Sequence, residues 1–454
     1  MISFLPIGGG SEIGANSFYL NFNGNGIILD CGIHPQKTGL ESLPKFDLLN
    51  DKPIDSCLIS HAHQDHIGSL PFLIKKFPYV KIITTPQTRA IAELTLHNSI
   101  SILKKEINDE SFEFYSHDEV DLLIKMIEYK EYENKFELNS YHQLKDSKVD
   151  ITFYDAGHIL GSAGILLENS SRKIFYTGDI NLTDQTIQQK AKLPAVKIDT
   201  LILETTYGAT DSDLLLNWQA ESLRFAKEAN KILNNGGSVL IPVFSLGKMQ
   251  EMLATVWQLM LKRKLTTVDI YTGGIGTKIN RVYDYNRYVV DRIDKESELN
   301  SIPQKDYYEV AGADEFFSHP CIVLASSGMM IKNTASYNFA KRFLKQKDSA
   351  IFTVGYMDPE SPGYIIANSE RGDKIQLNDY DELTEIKCEI KNFKFSAHAR
   401  REYLLEIVDK LKPENVILTH GDDEAIDWIG SSVLKRNKNI RVQIAEIGKE
   451  LKIF

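Results

Sequence analysis

The segment His61-Ala62-His63-Gln64-Asp65-His66 packs four metal-ligating side chains into six residues, directly behind the apolar run 54–59. Neutral imidazoles and a carboxylate suit zinc or a similar first-row divalent ion. His61 and His63 alternate, so on extended backbone both rings point the same way. Asp65 and His66 follow where the chain turns. They can therefore reach a second ion beside the first, and the cluster can seed a two-metal hydrolytic site. A His-rich surface loop would carry no companions, but here three further donors follow in order. His158 lies in Ala156-Gly157-His158-Ile159-Leu160-Gly161, Asp179 in Tyr176-Thr177-Gly178-Asp179 and His420 in Thr419-His420-Gly421. Each follows a β-like run beside a glycine, where backbone can approach closely. Singly they carry little weight; as a set they are informative.

Such donors need strand ends to hold them. From the first residue to about 204, short β-like runs alternate with Gly-rich turns at 17–20, 26–29, 57–59, 81–83, 150–153, 173–176 and 200–203. Residues 88–105 and 117–125 carry apolar side chains at three and four spacings and read as helices. The charge-rich stretch 106–148 reads as a peripheral insertion. From 207 to about 385 the pattern becomes strand, loop, helix, with strands at 238–244, 268–271, 321–324 and 350–354 and a helix over 248–264. That alternation predicts a mostly parallel sheet. Its ligand loops, at the strands' C-terminal ends, would be 245–247, 326–329 and 355–357. The tail returns to the first style, with strand 393–395, helix 401–410 and strand 416–418. The order predicts a first domain interrupted by an inserted second, divided as 1–206, 207–385 and 386–454.

A chain of 454 residues is long enough for two or three domains, and its 43% hydrophobic and 25% charged residues are ordinary globular values. No apolar run approaches membrane-spanning length, and the start has no secretory-signal pattern. No membrane partner is expected, and the expected location is cytoplasmic, or nuclear in a eukaryotic host. Cys31, Cys57, Cys321 and Cys388 are scattered without a CxxC pair, which favours buried reduced thiols over a disulfide framework or a zinc ribbon. The net charge of -10 argues against nonspecific coating of nucleic acid. It leaves a nuclease open, because divalent ions add positive charge at the site itself.

The ordered set resembles the metallo-β-lactamase superfamily, specifically its β-CASP branch of nucleic-acid-processing nucleases. Asp30 in Leu29-Asp30-Cys31-Gly32 matches the first motif, His61, His63, Asp65 and His66 the second, His158 the third and Asp179 the fourth. Glu204 in Leu203-Glu204-Thr205-Thr206 is similar to the branch's motif A, His398 in Ser396-Ala397-His398-Ala399 to motif B and His420 to motif C. The His34-Pro35 pair after Asp30 is similar to the cleavage and polyadenylation endonuclease group and its prokaryotic relatives. The implied fold is α/β: an αββα metallo-β-lactamase sandwich with an inserted parallel-sheet β-CASP domain that closes over the site.

The resemblance also implies roles. His61, His63 and His158 would hold one zinc, and Asp65, His66 and His420 the other, with Asp179 shared and manganese the alternative ion. Asp30 would orient a ligand imidazole from behind. His398 would be the general acid and Glu204 its partner. Lys248, Lys278, Arg281, Arg287, Ser326 and the Ser327-Gly328 backbone are candidate phosphate contacts. His at motif C favours single-stranded RNA over DNA, by analogy. His34 is a candidate for the site rim, and His97, His117, His142 and His319 receive no functional role. Arg400 stands where the family commonly has Asp, and Ser327 where it has Pro. Homodimerisation or partners in an RNA-processing complex are the expected associations. A 5′-exoribonuclease, a DNA nuclease, a small-molecule (thio)ester hydrolase and a non-catalytic scaffold are the competing readings.

Overall fold

Ile2–Gly8 and Ser17–Phe22 are almost wholly buried, and they pair antiparallel to begin the first sheet. The computed structural model describes residues 2–106, 115–138, 148–310 and 315–453. It separates into unit 1, comprising Met1–Leu182, Lys190–Leu214 and His398–Phe454, and unit 2, comprising Thr183–Gln189 and Leu215–Ala397.

Unit 1 holds two seven-stranded sheets. The second runs Arg441–Ile444, Asn415–Thr419, Thr200–Glu204, Lys173–Tyr176, Ala163–Glu168, Val149–Asp155, Phe136–Leu138. Its central strands are buried on both faces, and successive residues alternate between two cores. Ile165, Leu167, Ile174, Tyr176, Ile202 and Ile417 join Phe4, Phe18 and Phe22 of the first sheet in the layer between the sheets. Their neighbours Leu166, Phe175, Leu201, Leu203, Val416 and Leu418 face the other way. They pack on Leu404 and Val408 of helix Arg401–Leu411 and on Ile429 and Val433 of helix Asp423–Arg436. Helices Leu70–Lys76, Pro86–Glu106 and His117–Met126 pack on one another as the remaining helical layer of the αββα sandwich.

Unit 2 is built on a six-stranded sheet in the order Lys305–Asp306, Asp269–Thr272, Cys321–Ala325, Val239–Pro242, Ala350–Thr353, Glu389–Asn392, paired in parallel throughout. Its loops after Pro242, Ala325 and Thr353 follow strand C-terminal ends, as the strand–helix alternation predicts. Beside the sheet, helix Lys248–Leu261 carries the buried Glu251. That carboxylate accepts hydrogen bonds from the backbone N–H groups of Thr186, Ile187 and Gln188 at 2.8, 2.8 and 2.9 Å. It thereby fixes the segment Thr183–Gln189.

The structure differs from the sequence expectations in four places. Residues 393–395 are not a strand; Phe393 and Phe395 turn inward onto Phe225, and the paired strand is Glu389–Asn392. The compact units change over after Leu182, Gln189, Leu214 and Ala397, where the sequence reading places bounds at 206 and 385. The 248–264 helix ends at Leu261, with Lys262 as its cap. The stretch 106–148 is no peripheral insertion: Glu128–Tyr129 adds an edge strand to the first sheet and Phe136–Leu138 one to the second. Within that stretch, 107–114 and 139–147, with His142, lie outside the described residues.

Glu251→Ala leaves three buried amide donors unpaired. It should destabilise unit 2 by about 3 kcal/mol, read as a lower urea midpoint for that unit's transition, with Glu251→Gln intermediate.

Candidate metal centre

Parallel register brings the site together. Tyr176, Ile202 and Ile417 are neighbours across strands Lys173–Tyr176, Thr200–Glu204 and Asn415–Thr419, and Glu204 pairs with Thr419. Asp179, Glu204 and His420 thus leave adjacent strand ends. In the first sheet, Leu29 pairs with Leu58, so Asp30 and the 60–66 loop leave adjacent ends too. Two of these residues adopt left-handed backbone despite their side chains, Asp30 at φ 58° and His420 at φ 53°. Non-glycine residues so held cluster at functional sites. Gly178, at φ 53°, has Ser60 Cβ within 2.8 Å of where its own Cβ would be, so the Asp179 turn packs directly on the histidine loop.

Two donor groups result. In the first, His61 Nε2 and His158 Nε2 lie 3.0 and 3.1 Å from His63 Nδ1, and 3.6 and 3.7 Å from Asp179 Oδ2. In the second, Asp65 Oδ2 lies 3.4 Å from His66 Nε2 and 3.3 Å from His420 Nε2. Asp179 Oδ1 faces that second group, 3.4 Å from His66 Nε2 and 3.2 Å from His420 Nδ1. Asp179 thus turns one oxygen to each group. Its Oδ1 is fully buried with no hydrogen-bond donor. Donors on a tetrahedral ion with bonds of about 2.05 Å stand about 3.3 Å apart. The spacing, the donor chemistry and the orphaned oxygen therefore all fit divalent cations.

Asp30 fixes how these imidazoles face. Its Oδ2 accepts from Ser60 Oγ at 2.7 Å, Tyr176 Oη at 2.6 Å and His66 Nδ1 at 2.8 Å, and its Oδ1 accepts from Ser60 N at 2.6 Å. His66 must then carry a proton on Nδ1, so that Nε2 is the nitrogen turned to the donor group. Ser60 has one hydroxyl proton and gives it to Asp30, so it accepts from His61 Nδ1 at 3.0 Å, and His61 keeps Nε2 free. One buried carboxylate thus sets a tautomer in both groups. Ser60 and Tyr176 had no role in the sequence reading. Neither had Asn16, whose Nδ2 lies 3.1 Å from His66 Nε2, nor Thr206, whose Oγ1 lies 3.0 Å from His420 Nδ1. Only Ser60, adjoining His61, carried a positional signal.

Glu204 and His398 form the third group with Asp179. Both Glu204 oxygens lie 3.1 Å from His398 Nδ1, and Oε1 also accepts from Ile180 N at 2.7 Å. His398 Nε2 consequently points toward Asp179 Oδ2, 3.9 Å away. Burial disfavours the His398 imidazolium, but Glu204 and Asp179 outweigh it and push the ring up to about 9. Burial, reinforced by His66, holds His61 well below the usual imidazole range. Burial opposes ionisation of Asp65 and Asp179, yet the surrounding imidazoles, His66 foremost at Asp65 and His420 foremost at Asp179, keep both carboxyls well below their ordinary range. Neutral His61 and ionised Asp65 and Asp179 are the states in which these groups ligate.

The remaining candidates are placed differently. Lys248 is buried, and its ammonium donates to the Phe395 carbonyl and lies over the Trp218 ring. Burial lowers it to about 8. A phosphate role does not fit a cation so enclosed. Arg287 pairs with Glu298 at 2.5 Å. Arg281 and Lys278 are exposed on helix Ile275–Tyr285. Ser326 and Ser327 are partly exposed, their carbonyls accepting from Ser336, and Gly328 packs on Phe244. His34 faces Glu12 at 3.6 Å and belongs to neither donor group. His97 bonds His117 and Asp121, and His319 bonds Asp269.

Asp30→Ala should lower divalent-metal affinity by about 10–100-fold, measured by competition with a chromophoric chelator. Tyr176→Phe removes one of the bonds to Asp30 and should have a smaller effect of the same sign.

Comparison with known proteins agrees with this architecture. Residues 19–205 match the metallo-beta-lactamase superfamily domain, 249–366 the Beta-Casp domain and 384–444 the Zn-dependent metallo-hydrolase RNA specificity domain. The chain is 30% identical over 421 residues to an RNase J-like protein of Methanocaldococcus jannaschii, covering 91% of each. It is 29% identical to cleavage and polyadenylation specificity factor subunit 3 of Dictyostelium discoideum, covering 97% of this chain and 56% of that one. It is 30% identical to cleavage and polyadenylation specificity factor 73 of Drosophila melanogaster, covering 93% and 60%. The chain therefore spans a little over half the length of these last two relatives. The crystal structure of a protein of unknown function from Enterococcus faecalis V583 aligns over 99% of both chains at TM-score 0.58 and 12% identity, a likeness of fold alone. The metallo-beta-lactamase match over residues 19–205, the Beta-Casp match within the inserted parallel-sheet unit and the RNase J-like relative, 30% identical with 91% of each chain covered, establish that the chain belongs to the β-CASP branch of the metallo-β-lactamase superfamily.

Proposed function

We propose that the protein is a two-zinc ribonuclease that hydrolyses phosphodiester bonds within single-stranded RNA. The observation that carries this reading is the Glu204–His398 pair, which aims an imidazole nitrogen at the same Asp179 carboxylate that faces both donor groups. Relatives named endoribonuclease YSH1 and RNase J-like protein support the RNA reading. So does the RNA specificity domain match, whose range includes His398 and His420. Relatives named as subunits of a cleavage and polyadenylation factor favour work within a processing assembly, which would supply sequence choice.

His61, His63 and His158 would hold one ion, and Asp65, His66 and His420 the other, with Asp179 shared. Bound there, two divalent ions supply a water that is nucleophilic near neutral pH and positive charge beside the phosphoryl oxygens. The chain supplies the rest. Asp30 and Ser60 keep the His66 and His61 lone pairs directed inward. As the phosphorus–oxygen bond to the leaving ribose breaks, His398 Nε2 gives that oxygen its proton. Glu204, on Nδ1, holds the ring in place and stabilises its protonated form. Zinc suits the donor set, and manganese is the competing ion.

The test is cleavage of matched RNA and DNA, each labelled in turn at the 5′ end and internally. RNA fragments of intermediate length, absent with Asp179→Ala, are expected. Release of mononucleotides from the 5′ end would make it an exonuclease, and no cleavage of either polymer by metal-loaded protein would overturn the nuclease reading. Asp179→Ala should also lose bound metal, by elemental analysis. His398→Ala should retain its metal while cleaving about 100-fold more slowly or worse. Loss of zinc in that variant would make His398 a ligand instead.

A further inference from the structure

We infer that helix Ile275–Tyr285 of unit 2 and the turn after it form a binding stripe for single-stranded RNA, two cations for phosphates followed by two tyrosine faces for bases. The inference rests on the ribonuclease reading and adds residues to it. Lys278, Arg281 and Tyr285 recur at spacings of three and four, which is one face of the helix, and Tyr288 follows in the turn beyond its end. Ile279, Asn280, Tyr283 and Asp284 on the opposite face are buried. The stripe itself is open: Lys278 and Arg281 are exposed, and Tyr285 and Tyr288 are 86% and 59% exposed. Among the described residues neither Lys278 nor Arg281 has an ion-pair partner. The neighbouring charges are already engaged, and Arg287 lies over the Tyr288 ring, 4.8 Å from its centroid, so a base at Tyr288 meets a ring that already carries one cation–π contact. Asp284 accepts from Leu299 N at 2.7 Å and Asn300 N at 2.9 Å, and Arg287 pairs with Glu298. Asp291 lies 3.9 Å from Lys295.

A chain with net charge -10 that keeps two unpaired cations beside two exposed aromatic rings offers charge complementarity to a polyanion with stackable bases. Exposed Val289 and Ile293 adjoin the tyrosines, so a second copy of the chain is the rival occupant. A polyanion supplies the negative charge that Lys278 and Arg281 lack, which a second copy of the same stripe does not.

The experiment is fluorescence anisotropy of a labelled single-stranded RNA of about 16 nucleotides over a salt series, on the cleavage-deficient Asp179→Ala background. Tyr285→Ala and Tyr288→Ala should each weaken binding about 10-fold, with Tyr→Phe restoring it and Tyr79→Ala, exposed in unit 1, serving as the control. The Lys278→Ala/Arg281→Ala double variant should flatten the plot of log affinity against log salt by about 1.4. In the active protein the same changes should raise KM. Unchanged affinity and salt slope in all stripe variants would overturn the inference while leaving the ribonuclease reading intact. Loss of a dimer by light scattering, with RNA affinity unchanged, would also overturn it and assign the patch to a second copy. Failure of the parent protein to bind or cleave RNA would overturn both.

Discussion

The centre depends on one buried carboxylate that touches none of the reacting space. Asp30 accepts four hydrogen bonds, from the Ser60 amide and hydroxyl, the Tyr176 phenol and the His66 ring. Because a serine hydroxyl has only one proton, the Asp30–Ser60 bond also decides what Ser60 can do for His61. The direction of two lone pairs, one in each donor group, follows from a single acceptor. Its backbone is left-handed at φ 58°, a conformation the surrounding contacts must over-determine. They do: the Asp30 amide is bonded to Leu58, and the amides of Cys31 and Gly32 to His66 and Asn16. At Gly32 a Cβ would fall 1.7 Å from the Asp65 carbonyl oxygen, so the Asp30 loop and the histidine loop share backbone contact that no other residue permits.

Charge gives the same centre its second constraint. Asp65, Asp179, Glu204 and Asp30 sit among six imidazoles, four of them buried, within one end of the sandwich. Taking so many ionisable groups out of water is costly unless they neutralise one another. Protons on His66 and His398 perform part of that task, which is why Asp179, Asp65 and Asp30 raise the first and Glu204 and Asp179 the second against the effect of burial. A divalent cation at either donor group would perform it more completely, because it approaches several donors at once. Metal affinity and the stability of this end of unit 1 are therefore linked quantities.

The donors were legible from sequence for a physical reason. A metal ligand must be His or a carboxylate, and strand C-terminal ends in parallel sheets are where side chains from distant sequence meet. His61, Asp179, Glu204 and His420 satisfy both conditions, while His158 follows Val149–Asp155, a strand whose pairings are antiparallel. What supports them does not advertise itself. Tyr176 is one more core-facing residue of a buried strand, and Asn16 lies in a glycine-rich turn with nothing to distinguish its amide. The alternation of apolar and polar residues fixed most strands. It misread Phe393 and Phe395, whose apolar spacing serves an aromatic cluster around Phe225 instead of a ladder. Lys248 was misread for the converse reason. A lysine at the start of a helix looks solvent-facing, and only the fold places a carbonyl and an indole ring around its ammonium.

That contrast between Lys248 and the Lys278–Arg281 pair bears on how a chain of net charge -10 can attract a polyanion at all. Total charge sets only the far field, which salt screens within about 8–10 Å. Within that distance, what matters is which cations remain unneutralised. In unit 2 much of the positive charge is spoken for: Lys248 by a carbonyl and an indole, Arg287 by Glu298, Arg224 by Glu221 and Lys305 by Asp269. A cation already bound to a carboxylate must break that pair before it can meet a phosphate, so its contribution to binding is a difference rather than a sum. Cations without partners carry no such penalty, and neither does a tyrosine ring whose face is already in water. Local accounting of this kind, residue by residue, predicts contact better than pI does, and it is the reason an acidic protein can hold nucleic acid through a small number of side chains.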